Sequence, residues 1–214
     1  TEIYTLSLHD ALPIYELTNN QYLDFMQSTG YEASSYISKP GFNATRQPVV
    51  GINWKDASMY AKWSGKRLPT EMEWEKAARG GFQIPNWHNK KLPVEMEENP
   101  FSKRIYPWGD DAPMSDDYKT RRANYRVSDP KYDISKPTEV GSFELGISPY
   151  GCYDMAGNVW EWCSDDQEKQ PKPSSKLRKA CRGGSWGSTT VLCFRSIYTD
   201  AEIKTNTMGV RFAR

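Results

Sequence analysis

The sequence lacks the features that assign a chain to several common classes of protein. Its 28 basic and 27 acidic residues leave a net charge of +1, so bulk electrostatics give no reason to expect a nucleic-acid or anionic-membrane partner. No run approaches the roughly eighteen apolar residues that a membrane-spanning helix needs. Histidine occurs only as His9 and His88. This excludes a three-histidine metal site and leaves a Ser-His-Asp hydrolase dependent on one loop histidine.

Aliphatic residues are also scarce, whereas large aromatic residues are abundant. Leu, Ile and Val are few, but the 214 residues include eight Trp and thirteen Tyr. Rings with polar tips predict a core held by side-chain hydrogen bonds as well as by aliphatic packing. The length supports one sizeable core. Because neither a flexible linker nor an internal repeat is evident, we predict a single domain.

Residues 1–14 are predicted to be foreign to this domain. The segment (TEIYTLSLHDALPI) resembles the translated read-through of a sequencing adapter, a contaminant of assembled environmental reads. The alternative is a native strand and turn broken at Pro13. We therefore expect the domain at 15–214 and expect its natural start, which could have carried a signal peptide, a lipoprotein anchor or another domain, to be missing.

Start and stop signals predict three helices. The first and third begin with capping boxes, Thr18 with Gln21 and Thr70 with Glu73, and the second begins at Asn53. Glycines are predicted to end them at Gly30, Gly65 and Gly80-Gly81. The residues predicted to face inward are Tyr22, Leu23, Phe25, Met26, Ala57, Tyr60, Ala61, Trp63, Trp74, Ala77 and Ala78. Short β-branched or aromatic runs predict strands at 48–51 and 210–212.

Two stretches near the C-terminal end are the most informative for function. The runs 150–162 (YGCYDMAGNVWEW) and 182–186 (RGGSW) mix glycine, tryptophan and short polar residues, which fits neither an amphipathic helix nor an alternating strand. Such sequence predicts irregular backbone that holds a ligand or metal site. Residues 82–148 also have little periodicity and are predicted to form long, ordered loops.

Eight segments follow one another in the order found in a known family. They are 15–22 (YELTNNQY), 48–54 (PVVGINW), 65–75 (GKRLPTEMEWE), 106–109 (YPWG), 123–125 (ANY), 150–162, 182–186 and 209–212 (GVRF). On these motifs the chain, from Tyr15 to Arg214, resembles the formylglycine-generating enzyme family, also called the sulfatase-modifying-factor family. The resemblance implies a compact, loop-rich α+β fold that is related to C-type lectins and is often bound to calcium.

The resemblance places a calcium site in the run 150–162. Asp154 and Glu161 match the family's carboxylate ligands, and Gly157 and Val159 match positions that supply backbone carbonyls. Calcium prefers about six to eight oxygens that mix carboxylates and carbonyls, so this set suits it. The alternative is that Asp154 caps a turn and that Glu161 pairs with a nearby arginine.

A second calcium site of the family would use Asn124, the carbonyl of Tyr125 and a downstream acid. Asp133 is close to the matching position. The sequence between Pro130 and Pro137 is out of step with the family pattern, which leaves the assignment of this acid open.

The resemblance also implies a copper site, of which this sequence retains half. The family binds Cu(I) between two cysteine thiolates that follow the Gly-Gly-Ser motif, and those positions hold Ser188 and Cys193. Cu(I) is a soft ion that selects thiolates, and a neutral hydroxyl cannot replace one. Cys152, Cys163 and Cys181 lie near the motifs and could lend a sulfur. Alternatively they are buried thiols or disulfide partners, and the sequence does not choose among the three full pairings.

Trp160 and Ser185 match residues that lie beside the catalytic pocket in the family. An aromatic wall with a hydroxyl and backbone donors suits an extended peptide or a small polar ligand. The alternative for Trp160 and Trp162 is packing in the core. The arginines near the motifs are predicted to be structural partners of acids rather than substrate contacts. They are Arg67, Arg182, Arg195 and Arg211, with acids such as Glu71, Glu73 and Glu161.

We therefore expect a calcium-stabilised binding or assembly module that keeps the scaffold, takes a peptide or protein ligand and lacks the complete copper site. The rival hypothesis is an active, copper- and oxygen-dependent oxidase that converts the cysteine of a sulfatase Cys-x-Pro-x-Arg segment to formylglycine. Its candidate catalytic residues are Cys193, Ser188, Ser185 and Trp160. An extracytoplasmic location, periplasmic or secreted, is favoured over a cytoplasmic one.

Overall fold

The computed structural model describes residues 12–32, 34–86, 95–167 and 176–214. In chain order these residues form helices α1 (Asn19–Thr29), α2 (Trp54–Trp63) and α3 (Glu71–Arg79), and strands β1 (Gln83–Pro85), β2 (Met96–Glu98), β3 (Trp160–Asp166), β4 (Arg178–Arg182), β5 (Ser196–Asp200) and β6 (Met208–Gly209). A short 3₁₀ helix covers Glu144–Gly146. Helices and strands are joined by long irregular segments, which confirms the predicted loop-rich α+β class.

The three predicted helices are confirmed, and each begins with a reciprocal capping box. The cap side chain accepts a hydrogen bond from the backbone N–H three residues later, and the side chain of that later residue accepts from the N–H of the cap. The pairs are Thr18–Gln21, Asn53–Asp56 and Thr70–Glu73. Trp63 was predicted to face inward and is instead 43% exposed. It lies at the edge of the core, where its ring still contacts those of Phe25 and Tyr60 at 5.5 Å.

Strand β3 lies inside a four-stranded sheet of order β5-β4-β3-β6. It pairs antiparallel with β4 and parallel with β6, and β4 pairs antiparallel with β5. The prediction that the run 150–162 is irregular throughout is therefore wrong for Trp160 to Trp162, which begin β3. The first four residues of β3 are all buried, so the strand shows no alternation of apolar and polar positions.

The strands predicted at 48–51 and 210–212 are also wrong. These segments are extended connections that pair at single residues, which is too little to form a regular ladder. Leu17 donates its N–H to the Val210 carbonyl and accepts from the N–H of Val49, both at 2.8 Å. The C-terminal strand is β6, immediately before the predicted one.

The described part of residues 82–148 is mostly irregular, as predicted, but it contains the antiparallel hairpin of β1 and β2 and the 3₁₀ helix. Neither was predicted from the sequence. His88 lies in 87–94, outside the described residues, as does His9.

Large rings form the core, and several of them hydrogen-bond to backbone. In one cluster the rings of Tyr22, Phe25 and Tyr60 contact one another. Trp162 belongs to the same cluster, and its indole N–H donates to the Ile52 carbonyl at 3.1 Å. This confirms the prediction of an aromatic core with polar attachments. Within the described ranges, no helix combines the length and apolar character needed to cross a bilayer.

Candidate functional site

The Gly-Gly-Ser loop closes on itself through two serines. The Ser188 hydroxyl accepts from the Ser185 N–H at 3.1 Å and lies 3.3 Å from the Ser185 hydroxyl. The Ser188 N–H in turn donates to the Ser185 carbonyl at 2.9 Å. Ser188 therefore completes a local turn at the position where the resemblance expects a copper thiolate.

Cys193, at the other expected copper position, is fully buried. Its thiol donates to the Arg104 carbonyl at 3.2 Å. Burial raises the pKa of Cys193 to about 11, although Arg79, Arg182 and Arg104 nearby lower it. The thiol is therefore protonated near neutral pH. Because Ser188 offers a hydroxyl bonded within its own turn, the two positions supply one sulfur and do not fit a two-thiolate Cu(I) site.

The other three cysteines are buried free thiols, as is Cys193. Cys181 in β4 lies opposite Trp162 of β3, and it is close enough to Cys163 to help raise the pKa of that thiol. Burial raises the pKa of Cys152, Cys163 and Cys181. Of the alternatives left open by the sequence, the structure has buried thiols rather than disulfides.

Trp160 and Ser185 are both buried, at 7% and 2% exposure. The guanidinium of Arg195 lies over the Trp160 ring at 5.5 Å and covers it. Both Trp160 and Trp162 are thus packed in the core cluster.

Glu161 forms the most buried ion pair among the described residues. Its two carboxylate oxygens accept from Arg211 at 2.7 Å each, and the oxygen facing Nε also accepts from the Trp74 indole at 2.5 Å. Glu161 and Arg211 are both fully buried. The predicted pairing of Arg211 with an acid is thus present, and it engages a carboxylate that was also a candidate calcium ligand.

Asp154 and Glu16 add negative charge next to this pair. Asp154 adopts left-handed backbone (φ 59°) and accepts the Gly141 N–H at 2.7 Å. Burial raises the pKa of Asp154 to about 6. Burial also raises the pKa of Glu16 well above its usual value, and the charges of Asp154 and Glu161 raise it further. Three buried carboxyl groups thus face one guanidinium.

Backbone contacts fix the loop that carries the other predicted calcium positions. Gly157 has φ 95°, and a Cβ there would meet the Asn124 carbonyl oxygen at 2.3 Å. Val159 donates its N–H to Glu16 at 3.3 Å. Asn158 joins the two regions, because its side-chain amide donates to Glu16 at 2.7 Å and its oxygen accepts from Asn124 at 3.2 Å.

Glu16 and Asn158 were missed as site residues by the sequence reasoning. Both lie inside recognised motifs, but Glu16 reads as an ordinary residue before a helix cap, and Asn158 as a loop residue. In the sequence, each of these two polar residues is flanked by positions predicted to be buried, which indicates a buried polar group. This pattern does not identify the group with which such a side chain forms a hydrogen bond.

Of the residues predicted for the second calcium site, two make contacts that compete with a metal. The Tyr125 carbonyl accepts from the Arg121 guanidinium at 3.0 Å. Asp133 accepts the Val127 N–H at 3.3 Å and also the Ser135 hydroxyl. Over the described residues, no three His, Cys, Asp or Glu side chains converge as a metal site would require. A calcium ion in this part of the chain would therefore depend heavily on backbone carbonyls.

Two further predicted arginine partners are present. Arg67 pairs with Glu73 at 2.7 Å. Arg182 pairs with Glu75 and lies 3.8 Å from Glu71. Arg195 instead donates to the Thr190 carbonyl at 2.8 Å and stacks on Trp160.

The fold and the arrangement of these motifs define a formylglycine-generating-enzyme-like domain. Residues 9–214 match the family model described as the sulfatase-modifying factor enzyme 1-like domain, and the chain belongs to that family.

Relatives in the family include kinases, formylglycine-generating enzymes and an inactive homologue. The serine/threonine-protein kinase pkn1 of Chlamydia pneumoniae is 30% identical over 218 residues, covering 87% of this chain and 29% of the kinase. The formylglycine-generating enzyme of Thermomonospora curvata is 36% identical over 162 residues, covering 71% and 46%. The inactive C-alpha-formylglycine-generating enzyme 2 of Mus musculus is 33% identical over 147 residues, covering 66% and 38%. This chain spans less than half of each relative, and family membership alone does not assign oxidase activity.

Two solved structures show the same fold. PvdO from Pseudomonas aeruginosa has a TM-score of 0.68 at 21% identity, covering 95% of this chain and 79% of that one. The Major Tropism Determinant P3c variant has a TM-score of 0.53 at 13% identity, covering 94% and 49%. The likeness confirms the α+β fold of the family and its relation to C-type-lectin-like folds, and it does not extend to function.

Proposed function

We propose that this domain is a calcium-stabilised binding module that does not oxidise its ligand. The observation that carries the proposal is Ser188. Its hydroxyl stands at the first copper position and is bonded within its own turn to Ser185. The second position, Cys193, keeps a sulfur, but one that is buried and protonated. The retained cysteine is the feature that favours the rival oxidase.

The charge balance around Glu161 supports a calcium ion at the first predicted site. Glu16, Asp154 and Glu161 place three carboxyl groups in the interior against the single cation of Arg211. The excess negative charge can be neutralised by protons or by a bound cation. Asp154 and Glu161 would supply carboxylate oxygens, and Gly157 and Val159 would supply carbonyls. The bound calcium ion would neutralise the excess negative charge of the buried carboxyl groups.

Calcium dependence has a direct test. Chelation should lower the melting temperature of the wild-type protein by several degrees. Asp154→Asn should remove most of that difference, because the amide keeps the side-chain shape and removes the charge. A melting temperature that ignores the chelator in both proteins would refute the calcium proposal and leave the binding proposal standing.

A surface cleft beside the Gly-Gly-Ser loop supports the binding role. Its volume is ≈ 650 Å³, and Thr189 lies in its wall directly after Ser188. The Arg126 N–H donates to the Ser188 carbonyl at 2.9 Å, which joins the cleft to the loop. Clefts of this size that combine apolar walls with a few polar groups suit ligands the size of a short peptide.

The chemistry of the wall favours an extended peptide. Met114 and Val127 provide apolar surface, and Tyr118 is an aromatic platform that stacks on Tyr132 at 4.2 Å. The exposed Arg126 provides a cation for an acidic side chain or a chain terminus. This mixture of aromatic, apolar and charged contacts is typical of protein-binding surfaces.

A displayed random-peptide library selected on the purified protein tests this role. We expect selected peptides to bind the wild type and to lose at least about tenfold in affinity on Thr189→Trp, which fills the cleft. Met72→Trp is the matched control, because Met72 is 82% exposed on α3 and does not line the cleft. Failure to enrich any peptide, or binding that is indifferent to Thr189→Trp, would refute the assignment of the cleft.

A conversion assay separates the module from the oxidase. A peptide containing Cys-x-Pro-x-Arg, incubated with the protein, copper, oxygen and a thiol that supplies the two reducing electrons, should keep its cysteine when its mass is measured. Formation of formylglycine would overturn the proposal in favour of the rival.

A further inference from the structure

Arg121 lies at the start of the loop that the family resemblance assigns to a second calcium ion. Its guanidinium donates to three backbone carbonyls: Nε to Ala123 at 2.9 Å, Nη1 to Tyr132 at 2.6 Å and Nη2 to Tyr125 at 3.0 Å. One side chain therefore ties together carbonyls that are spread along the loop. Converging carbonyl oxygens are also what a calcium ion would require.

The surroundings of this guanidinium suit a permanent cation. The rings of Tyr125 and Phe143 lie 5.8 and 5.7 Å from its central carbon. Burial lowers the pKa of Arg121, and Tyr125 and Asp133 oppose this shift. Arginine remains charged under all ordinary conditions, so the positive charge at this point does not depend on solvent composition.

The predicted calcium ligands do not fit a metal while Arg121 is in place. A calcium ion bonded to the Tyr125 carbonyl, at about 2.4 Å, would lie within roughly 5.4 Å of the guanidinium nitrogen that shares this oxygen. Two cations at that separation repel, and Asp133 is the acid that acts on Arg121, whereas three buried carboxyl groups lie around Arg211 at the first site. The Asp133 oxygens accept from Val127 and Ser135. Among the ligands predicted for this site, the Asn124 side-chain oxygen alone is buried without a hydrogen-bond partner, and one oxygen does not make a calcium site.

We propose that Arg121 replaces the second calcium ion, so that a covalently attached cation holds the loop 121–138 in place. The order of this loop is then independent of calcium, unlike that of the loop around Asp154. The inference does not rest on the proposed function, because it holds whether or not the Asp154 site binds metal and whether or not the cleft binds peptide.

Hydrogen exchange followed by mass spectrometry on the full chain tests the proposal. In the wild type, peptides covering 123–138 should exchange at the same rate in calcium and in chelator. Arg121→Gln should accelerate their exchange at least about tenfold in both conditions, since it removes several charge-assisted hydrogen bonds. Lys136→Gln removes a positive charge from an exposed position in the same loop, outside the cleft, and should leave these rates unchanged.

Two outcomes would overturn the proposal. One is faster exchange of 123–138 in the wild type on chelation, which would show that a metal holds the loop. The other is wild-type protection of the loop in Arg121→Gln.

If Arg121→Gln also loses protection in β3 and is therefore globally unfolded, Arg121→Lys takes its place, because a single ammonium keeps the charge but cannot span the three carbonyls. Wild-type exchange of 123–138 in Arg121→Lys would equally overturn the proposal. Comparing the wild type in calcium and in chelator decides, without any variant, whether a calcium ion holds this loop.

Discussion

Replacing Arg211 with methionine should destabilise the protein more than any surface change. Arg211 is fully buried, donates to both Glu161 oxygens at 2.7 Å, and also reaches the carbonyls of Tyr153 at 2.8 Å, Pro13 at 3.2 Å and Ile14 at 3.4 Å. Methionine has a similar length and no donor. The substitution therefore leaves the Glu161 carboxylate in the interior without its cation.

The expected loss can be estimated from the burial of this pair. Removing one partner of a buried ion pair costs about 3–5 kcal/mol, because the other charge remains uncompensated. Asp154 and Glu16 lie close enough to Glu161 for their charges to interact, so the upper half of that range is expected. For a domain of this size each kcal/mol lowers the melting temperature by about 2–4 °C, which gives a decrease of roughly 10 °C or more.

Urea unfolding followed by tryptophan fluorescence measures this loss, with thermal unfolding as a second reading. The double variant Arg211→Met with Glu161→Gln should recover much of the stability, because removing both charges avoids the uncompensated carboxylate. Arg126→Gln, at an exposed site, is the control and should stay within about 1 kcal/mol of wild type. Arg211→Met as stable as that control, or a double variant no more stable than the single one, would show that the pair does not compensate buried charge.

Three other predictions concern the same region. Gly157→Ala should lower the free energy of unfolding in urea by at least about 2 kcal/mol, because the new Cβ meets the Asn124 carbonyl oxygen at 2.3 Å and the backbone is left-handed. A loss below about 0.5 kcal/mol would contradict that contact. Cys193 should resist alkylation at pH 8 until the protein unfolds, since burial raises its pKa to about 11; rapid labelling of the folded protein, located by peptide mass, would disprove this. In chelator, the melting temperature should rise as the pH falls from about 7.5 to about 5.5. Burial raises the pKa of Asp154 to about 6, so the folded state binds this proton more tightly than the unfolded state does. A melting temperature that falls over this interval would contradict the prediction.

Local sequence signals predicted the helices well because their causes are local. Each capping box depends on residues three positions apart, and all three form as expected. The segments 48–51 and 210–212 failed as strands because ladder formation depends on a neighbour far along the chain. β3 was missed for a related reason, since burial of successive residues on both faces removes the alternation that identifies a strand.

The site was predictable where a motif names its residues and not where a distant side chain decides the contact. Ser188 and Cys193 follow from the resemblance alone, and the pairing of Arg211 with an acid was predicted from the charged residues near the motifs. The displacement of the second calcium position by Arg121 does not follow, because Arg121 acts through three carbonyls and no motif marks it. Glu16 is similar, since its closeness to Asp154 and Glu161 arises from the folding of segments well over a hundred residues apart.

An anaerobic Cu(I) titration against a competing chelator, followed by thiolate-to-copper charge-transfer absorption, tests whether this domain lacks a functional copper site. The wild-type protein should take up no stoichiometric copper with high affinity, because Ser188 offers a hydroxyl and the Cys193 thiol is buried and protonated. Ser188→Cys restores the second sulfur and is the matched comparison. Tight binding of one Cu(I) per chain by the unmodified protein would contradict the account and restore the oxidase.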